Sequence, residues 1–283
     1  MRRILPRIAI ATAVVLAATA LGGWTAPGNG GGHDRSGGAV TIYLTRHGQT
    51  ILNTLERVQG WTDSPLVDAA ARALPVGVGA NLRAREGAFD AAYSADMKRH
   101  YETATLILRG AKQKLPVTQD AGLREINFGR YEGAENQEMW TAIVERLGYP
   151  VDPAVSNPQA PGGWQYEQAL AAKEKGLDAM MSAMKALATE PTHSGQTLPA
   201  EDCADVDARM AASLDRIAVS ATRHHQKRVL VVSSGLSISC FLQDSLGYTV
   251  NGGISNVAVS KLRYADGRWT VLSANDKSYY PAP

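Results

Sequence analysis

The chain has 283 residues, 45% hydrophobic, 20% charged and 6% aromatic, enough for one large domain with a full core and unlike a disordered or fibrous composition. Its formal charge of +2 comes from the first segment. Removing residues 1–20 takes away Arg2, Arg3 and Arg7 and no acid, so 29 basic residues become 26 against 27 acidic ones, a net −1. Nothing in that balance argues for a nucleic-acid partner.

In chain order, residues 1–7 are basic, and residues 8–21 form an uncharged run rich in Ala, Val and Leu that contains Ala18-Thr19-Ala20. That is the pattern of a cleaved signal peptide over residues 1–20. The apolar run is too short for a bilayer, which takes about 20 residues. With no cysteine near the cleavage point, a lipid anchor there is excluded, and no stable membrane association is expected afterwards. The mature protein is expected to be exported, periplasmic or extracellular. Residues 21–38 are glycine-rich and aperiodic, a linker. Residues 39–283 then form the domain.

The domain opens with the strand AVTIYLT, ending in Arg46-His47-Gly48. A second strand is expected near Phe89–Ser94, followed by a helix in DMKRHYETATLIL with Met97, Tyr101, Ala104 and Leu108 on one face. Residues 134–200 read as a strandless, cap-like insert with a Pro/Gly/Asn loop and a helix from about 165 to 188. Val206, Met210, Leu214, Ile217 and Ala221 mark an amphipathic helix running up to VLVVSSGLSI, a buried strand, a tight turn and a helix start. Strands near Val257–Tyr264 and Trp269–Ser273 are joined by Asp266-Gly267, a strong hairpin signal. The fold class is α/β: a three-layer α/β/α sandwich, mostly parallel, with an antiparallel edge hairpin and a helical insert. Cys203 and Cys240 are the only cysteines. They can pair in an oxidising compartment, but the apolar context SISCFL makes a buried free thiol the simpler reading.

Chemistry gathers at strand ends. Arg46-His47-Gly48 presents a guanidinium that can grip two phosphate oxygens, an imidazole able to act as a nucleophile, and an unhindered backbone N–H. Arg99 follows the second strand, where a second guanidinium can face the same anion. Glu125 lies in LREINFGRYEG, a loop kept open by Gly129 and Gly133. A carboxylic acid beside a bound phosphate has its ionisation disfavoured and can serve as general acid.

The pieces LTRHGQT, Asn53 six residues after His47, VQGWTDSPL, YSADMKRHYETA, LREINFGRYEG and NDKSYY occur in one order. Together they resemble the histidine phosphatase superfamily, in its phosphoglycerate mutase-like branch. The resemblance implies that His47 forms a phosphohistidine and that Arg46 and Arg99 hold the transferring phosphoryl group. It further implies that Gly48, Asn53, Gln59, Gly60, Ser234 and Gly235 line the phosphate site and that Glu125 protonates the leaving alcohol. No metal or other cofactor is implied, and the expected partner is a small phosphorylated substrate.

One position departs from the family pattern. Where the family carries a second histidine in a VSHG context, this chain has Ser234. Losing such a donor costs about 10²- to 10³-fold in rate, so the reading is a phosphomonoesterase of reduced activity, and restoring histidine at 234 is expected to raise the rate. The alternative is a pseudophosphatase that binds a phosphorylated ligand without turnover. No other histidine is expected to substitute: His224 and His225 precede the strand at its far end, His193 lies in the insert, and His100 is about 100° round the helix from Arg99. A mutase is disfavoured, because between Glu125 and Lys173 the only arginines are Arg130 and Arg146, at positions unlike a mutase's. Trp140, Trp164 and Tyr166 of the insert read chiefly as packing.

Overall fold

A computed structural model of the chain describes residues 38–149 and 163–282, with side chains from residue 175 onward in the second stretch. The signal, the linker and the Pro/Gly/Asn loop, as well as the side chains of Trp164 and Tyr166, lie outside the described parts. Among the described residues no helix is long and apolar enough to cross a membrane.

The strands β1 (Val40–Arg46), β2 (Ala91–Ser94), β3 (Val117–Gln119), β4 (Arg228–Ser233), β5 (Val259–Ala265) and β6 (Arg268–Asp276) form one six-stranded sheet in the order β3-β2-β4-β1-β5-β6. The first four run parallel, and β5 and β6 are antiparallel additions at one edge. Alternation along the central strands separates two cores. Ile42, Leu44, Val229 and Val231 face one; Tyr43, Leu230 and Val232 face the other. The first core is closed by α4 (Asn136–Arg146), α5 (Gly163–Ala188), α6 (Cys203–Arg223) and α7 (Gly235–Asp244), the second by α2 (Ala69–Glu86) and α3 (Lys98–Gly110). A one-turn helix, α1 (Ile51–Thr54), follows β1.

The expected three-layer α/β sandwich is therefore present. All five residues predicted for the buried stripe of α6 are buried. The hairpin turns at Asp266 (φ 52°) and Gly267 (φ 75°), both in the left-handed region that a tight two-residue turn requires. The long insert helix is α5, bent at Gly176. Trp140 is 3% exposed in the core, in keeping with its packing role.

Other features differ from expectation. Helix α2 was not anticipated, since its alanines, glycines and one proline carry little periodicity; Asp68 starts it by accepting the Ala71 N–H at 2.8 Å. A glycine from each helix serves the packing: a Cβ at Gly79 of α2 would lie 2.0 Å from Ile107 O, and one at Gly110 of α3 would lie 1.9 Å from Val76 O, so α2 and α3 meet backbone to backbone. Strand β3 has only three residues and was likewise not expected.

Of the face expected on α3, Met97, Ala104 and Leu108 are buried but Tyr101 is 46% exposed; the buried stripe also takes in His100, Thr103 and Ile107. Finally, Cys203 and Cys240 form a disulfide, with Cα atoms 5.1 Å apart. Cys240 is buried, as its apolar context implied, and so is Cys203, but neither is a free thiol: α6 and α7 pack on the same face of the sheet and bring the sulfurs together.

Candidate active site

Strands β1 and β4 end side by side, Arg46 opposite Ser233, and the His47 N–H donates to Ser233 O at 3.0 Å. Their carboxyl ends form one rim, where open α/β sheets place their ligands. Asn256 fixes the strand exit by donating from Nδ2 to His47 O at 2.8 Å.

His47 is 2% exposed. Its Nδ1 lies 2.8 Å from Gly48 O, and a carbonyl only accepts, so Nδ1 carries the proton and Nε2 the lone pair. Among the described residues nothing hydrogen-bonds Nε2. Burial holds the imidazole pKa well below its ordinary 6.5, and the positive charges of Arg99 and Arg46 push the same way. The ring is thus a neutral base with a free Nε2.

Both arginines converge on it. Arg46 donates from Nη1 to Ile254 O at 2.7 Å, and a Cβ at position 235 would come within 3.3 Å of its Nε, so Gly235 gives this side chain its room. Arg99 is fully buried and is held by Gly60 O at 2.6 Å, Thr62 O at 3.1 Å and Asp63 Oδ1 at 3.1 Å. The Nε atoms of both arginines are buried without a protein partner. Buried donors of this kind call for an explanation, and an anion between the two guanidiniums supplies one.

Glu125 is 6% exposed and docks on the first turn of α7. Its Oε1 accepts from Ser237 N at 2.8 Å, Ser237 Oγ at 2.9 Å and its own neighbour Ile126 N at 2.9 Å; Oε2 accepts from Leu236 N at 3.1 Å. The N–H groups of the first turn of α7 thus fix the position of the carboxyl group. Arg209 and Trp61 hold the loop from outside by donating to Glu125 O at 2.9 and 3.0 Å.

Several expected phosphate ligands do other work. The Gly48 N–H is not free: it donates to Thr103 Oγ1 at 2.9 Å. Asn53 caps α1, its Oδ1 taking the Thr50 N–H at 3.3 Å. Gln59 is braced between Thr50 Oγ1 at 2.5 Å and Ser64 Oγ at 3.1 Å. The Gly60 N–H goes to Glu132 at 3.2 Å, and its carbonyl positions Arg99. Gly60 is there because nothing larger fits: a Cβ would meet Ile126 O at 2.2 Å.

The largest correction concerns His100. It was expected to face away from the site, yet it is fully buried, with its Nε2 2.6 Å from Ser234 Oγ. Its ring stands at 88° to that of His47, centroids 5.2 Å apart. Arg99 and His100 do diverge by a helical step, but α3 begins at Lys98, and both point inward from its first turn. The i, i+3, i+4, i+7, i+8 stripe that His100 starts marked its face of α3 for burial, but not that this face meets the site. His193, His224 and His225 are exposed.

Glu132 was also missed. It accepts from the N–H groups of Gly60, Trp61, Thr62 and Phe128 at 2.7 to 3.2 Å and so clamps the loop that holds Arg99. No periodicity announces such a residue.

The profile of the histidine phosphatase superfamily (branch 1) matches residues 42–186 and 175–277. The chain belongs to this superfamily. Among its relatives is a probable phosphoglycerate mutase GpmB from Yersinia pestis (strain Pestoides F), 23% identical over 253 residues, covering 86% of this chain and 96% of that one. The crystal structure of a phosphoglycerate mutase from Bacillus anthracis str. Sterne is 34% identical, covers 85% of this chain and 95% of its own, and superposes with a TM-score of 0.70. The fold is shared with a mycobacterial glucosyl-3-phosphoglycerate phosphatase solved with VO3, at 23% identity, 84% and 99% coverage and a TM-score of 0.56. Histidine phosphatase superfamily members thus include both mutases and phosphatases.

Proposed function

We propose that this chain is an exported phosphomonoesterase that hydrolyses small phosphate monoesters through a phosphohistidine at His47. The observation that carries the reading is the neutral His47 ring, its proton fixed on Nδ1 by Gly48 O and its Nε2 free, beside the partly buried Arg46 and the fully buried Arg99.

Nε2 attacks phosphorus, the ester P–O bond breaks, and the alcohol leaves with a proton from Glu125. Arg46 and Arg99 meet the charge on the phosphoryl oxygens, and because they are held in place beforehand the stabilisation needs no reorganisation. Water then attacks the phosphohistidine, Glu125 takes its proton, and the P–N bond breaks to release phosphate and Nε2. No step calls for a metal.

Hydrolysis is preferred to mutase chemistry because Arg130 is already engaged, paired with Glu190 at 2.9 Å and lying over Tyr131. Export draws support from the disulfide, since such bonds persist in oxidising compartments. A second reading, a pseudophosphatase that holds a phosphorylated ligand, is favoured by one observation, Ser234 in place of the family's second histidine.

The test is hydrolysis of 4-nitrophenyl phosphate by the mature protein without metal, beside His47→Ala made identically. Activity in the parent alone, with acid-labile phosphate trapped on the protein during turnover, supports the phosphatase. Equal background in both, with inorganic phosphate still bound by the parent, would leave the pseudophosphatase. Because the folded His47 pKa lies well below 6.5, the acid limb of kcat/KM should fall below that pH.

A further inference from the structure

We propose that His100 and Ser234 together replace the missing second histidine: Ser234 Oγ–H donates to the phosphoryl group, and His100 Nε2–H donates to Ser234 Oγ behind it. The inference rests on the phosphoryl-transfer reading of the site and assigns a positioning residue to it.

The geometry is specific. Ser234 is fully buried at the N-cap of α7, one residue beyond Ser233, which pairs with Arg46. His100 Nε2 reaches its hydroxyl at 2.6 Å, and it is the hydroxyl's one partner among the described residues. His100 Nδ1 is buried and unpartnered. An unpaired N–H is rarer in buried sites than an unpaired acceptor, so Nδ1 carries the lone pair and Nε2 the proton. The serine oxygen then accepts from His100, and its own hydrogen is free to point at an anion. A hydroxyl that accepts one hydrogen bond donates a stronger one.

The same distances explain why this chain has serine. With His100 Nε2 2.6 Å from Ser234 Oγ, an imidazole built on residue 234 and extending past that oxygen would meet the His100 ring. A histidine at 234 extending in that direction calls for a smaller residue at 100. Ser234→His alone should therefore lower the rate instead of raising it, and His100→Ala/Ser234→His should recover it.

The experiment compares His100→Leu, His100→Gln, Ser234→Ala and His100→Leu/Ser234→Ala in the mature protein, each checked for a cooperative thermal transition. Leucine keeps the packing and removes the donor; glutamine keeps an N–H near the place of Nε2. On 4-nitrophenyl phosphate, Ser234→Ala should lower kcat about 10²-fold. His100→Leu should lower it roughly 3- to 10-fold at unchanged KM, the effect of one neutral hydrogen bond. His100→Gln should retain most of the rate, and the double variant should match Ser234→Ala alone. His100→Leu and His100→Gln equal to the parent would overturn the pairing and leave the phosphatase intact. If the parent is no more active than His47→Ala, the phosphatase reading falls and affinity for inorganic phosphate decides: weaker binding by His100→Leu than by His100→Gln supports the pair, and equal binding overturns it.

Discussion

Two buried neutral imidazoles should make the stability of this protein fall in acid. Burial lowers the pKa of His100 well below 6.5, and the nearby Arg99 and His47 act in the same direction; His47 is lowered likewise. The folded rings stay unprotonated where the unfolded ones charge. The unfolded chain then binds more protons, so stability is present above about pH 6.5 and is lost as pH falls below it, levelling off only below the folded-state values. Each such ring contributes a slope of up to about 1.4 kcal/mol per pH unit. Between pH 7 and pH 5 the accumulated loss reaches up to about 2 kcal/mol for each ring. The measurement is urea denaturation at half-unit pH steps for the parent and His100→Gln. Glutamine does not titrate and leaves every other group in place, so the stability difference between the two isolates the His100 proton. The difference should move in the variant's favour by up to about 2 kcal/mol over that range. Parallel curves would refute the claim that His100 is buried neutral.

Glu132→Gln should be costly, because one remaining carbonyl oxygen can take only part of the four N–H groups that Glu132 now accepts. Two would face an amide NH2, a loss of about 3 kcal/mol in urea midpoint terms, with a fall in kcat/KM as Gly60 O and Thr62 O release Arg99. Replacing the disulfide by Cys203→Ala/Cys240→Ala opens a loop with a sequence separation of 37; chain entropy puts the loss near 4 kcal/mol, and calorimetry in reducing and oxidising buffer reads it. Gly60→Ala would force Ile126 O, Glu132 and Phe128 apart, and should lower both Tm and kcat, whereas Gly133→Ala, whose Cβ meets nothing within 4 Å, should carry only the backbone cost of its positive φ.

Much of this protein was determined by sequence alone, wherever the determining interactions are local or the residues act at a chain-fixed place. The β-branched run before Arg46 and the apolar run before Ser233 had to be buried parallel strands. Asp266-Gly267 had to turn, and the spacing from Val206 to Ala221 had to bury one helix face. Because Arg46, His47 and Ser234 all sit at strand ends, their meeting at the sheet rim was legible as well. Helix α2 was not, since its interface is built from absent side chains at Gly79 and Gly110, and glycine has no hydrophobic period. The tertiary structure alone decided the rest. It alone places Cys203 beside Cys240 and Glu132 beneath the loop of residues 60–62, across sequence separations that no local pattern spans. It alone shows which backbone donors remain for a ligand, and the Gly48 and Gly60 N–H groups are taken by Thr103 and Glu132. Above all, it swings the first turn of α3 so that Arg99 and His100 both enter the site, and the imidazole missing at position 234 stands 2.6 Å away on another element. Helical spacing fixes the angle between neighbouring side chains; only packing of the helix against the sheet decides where that angle points.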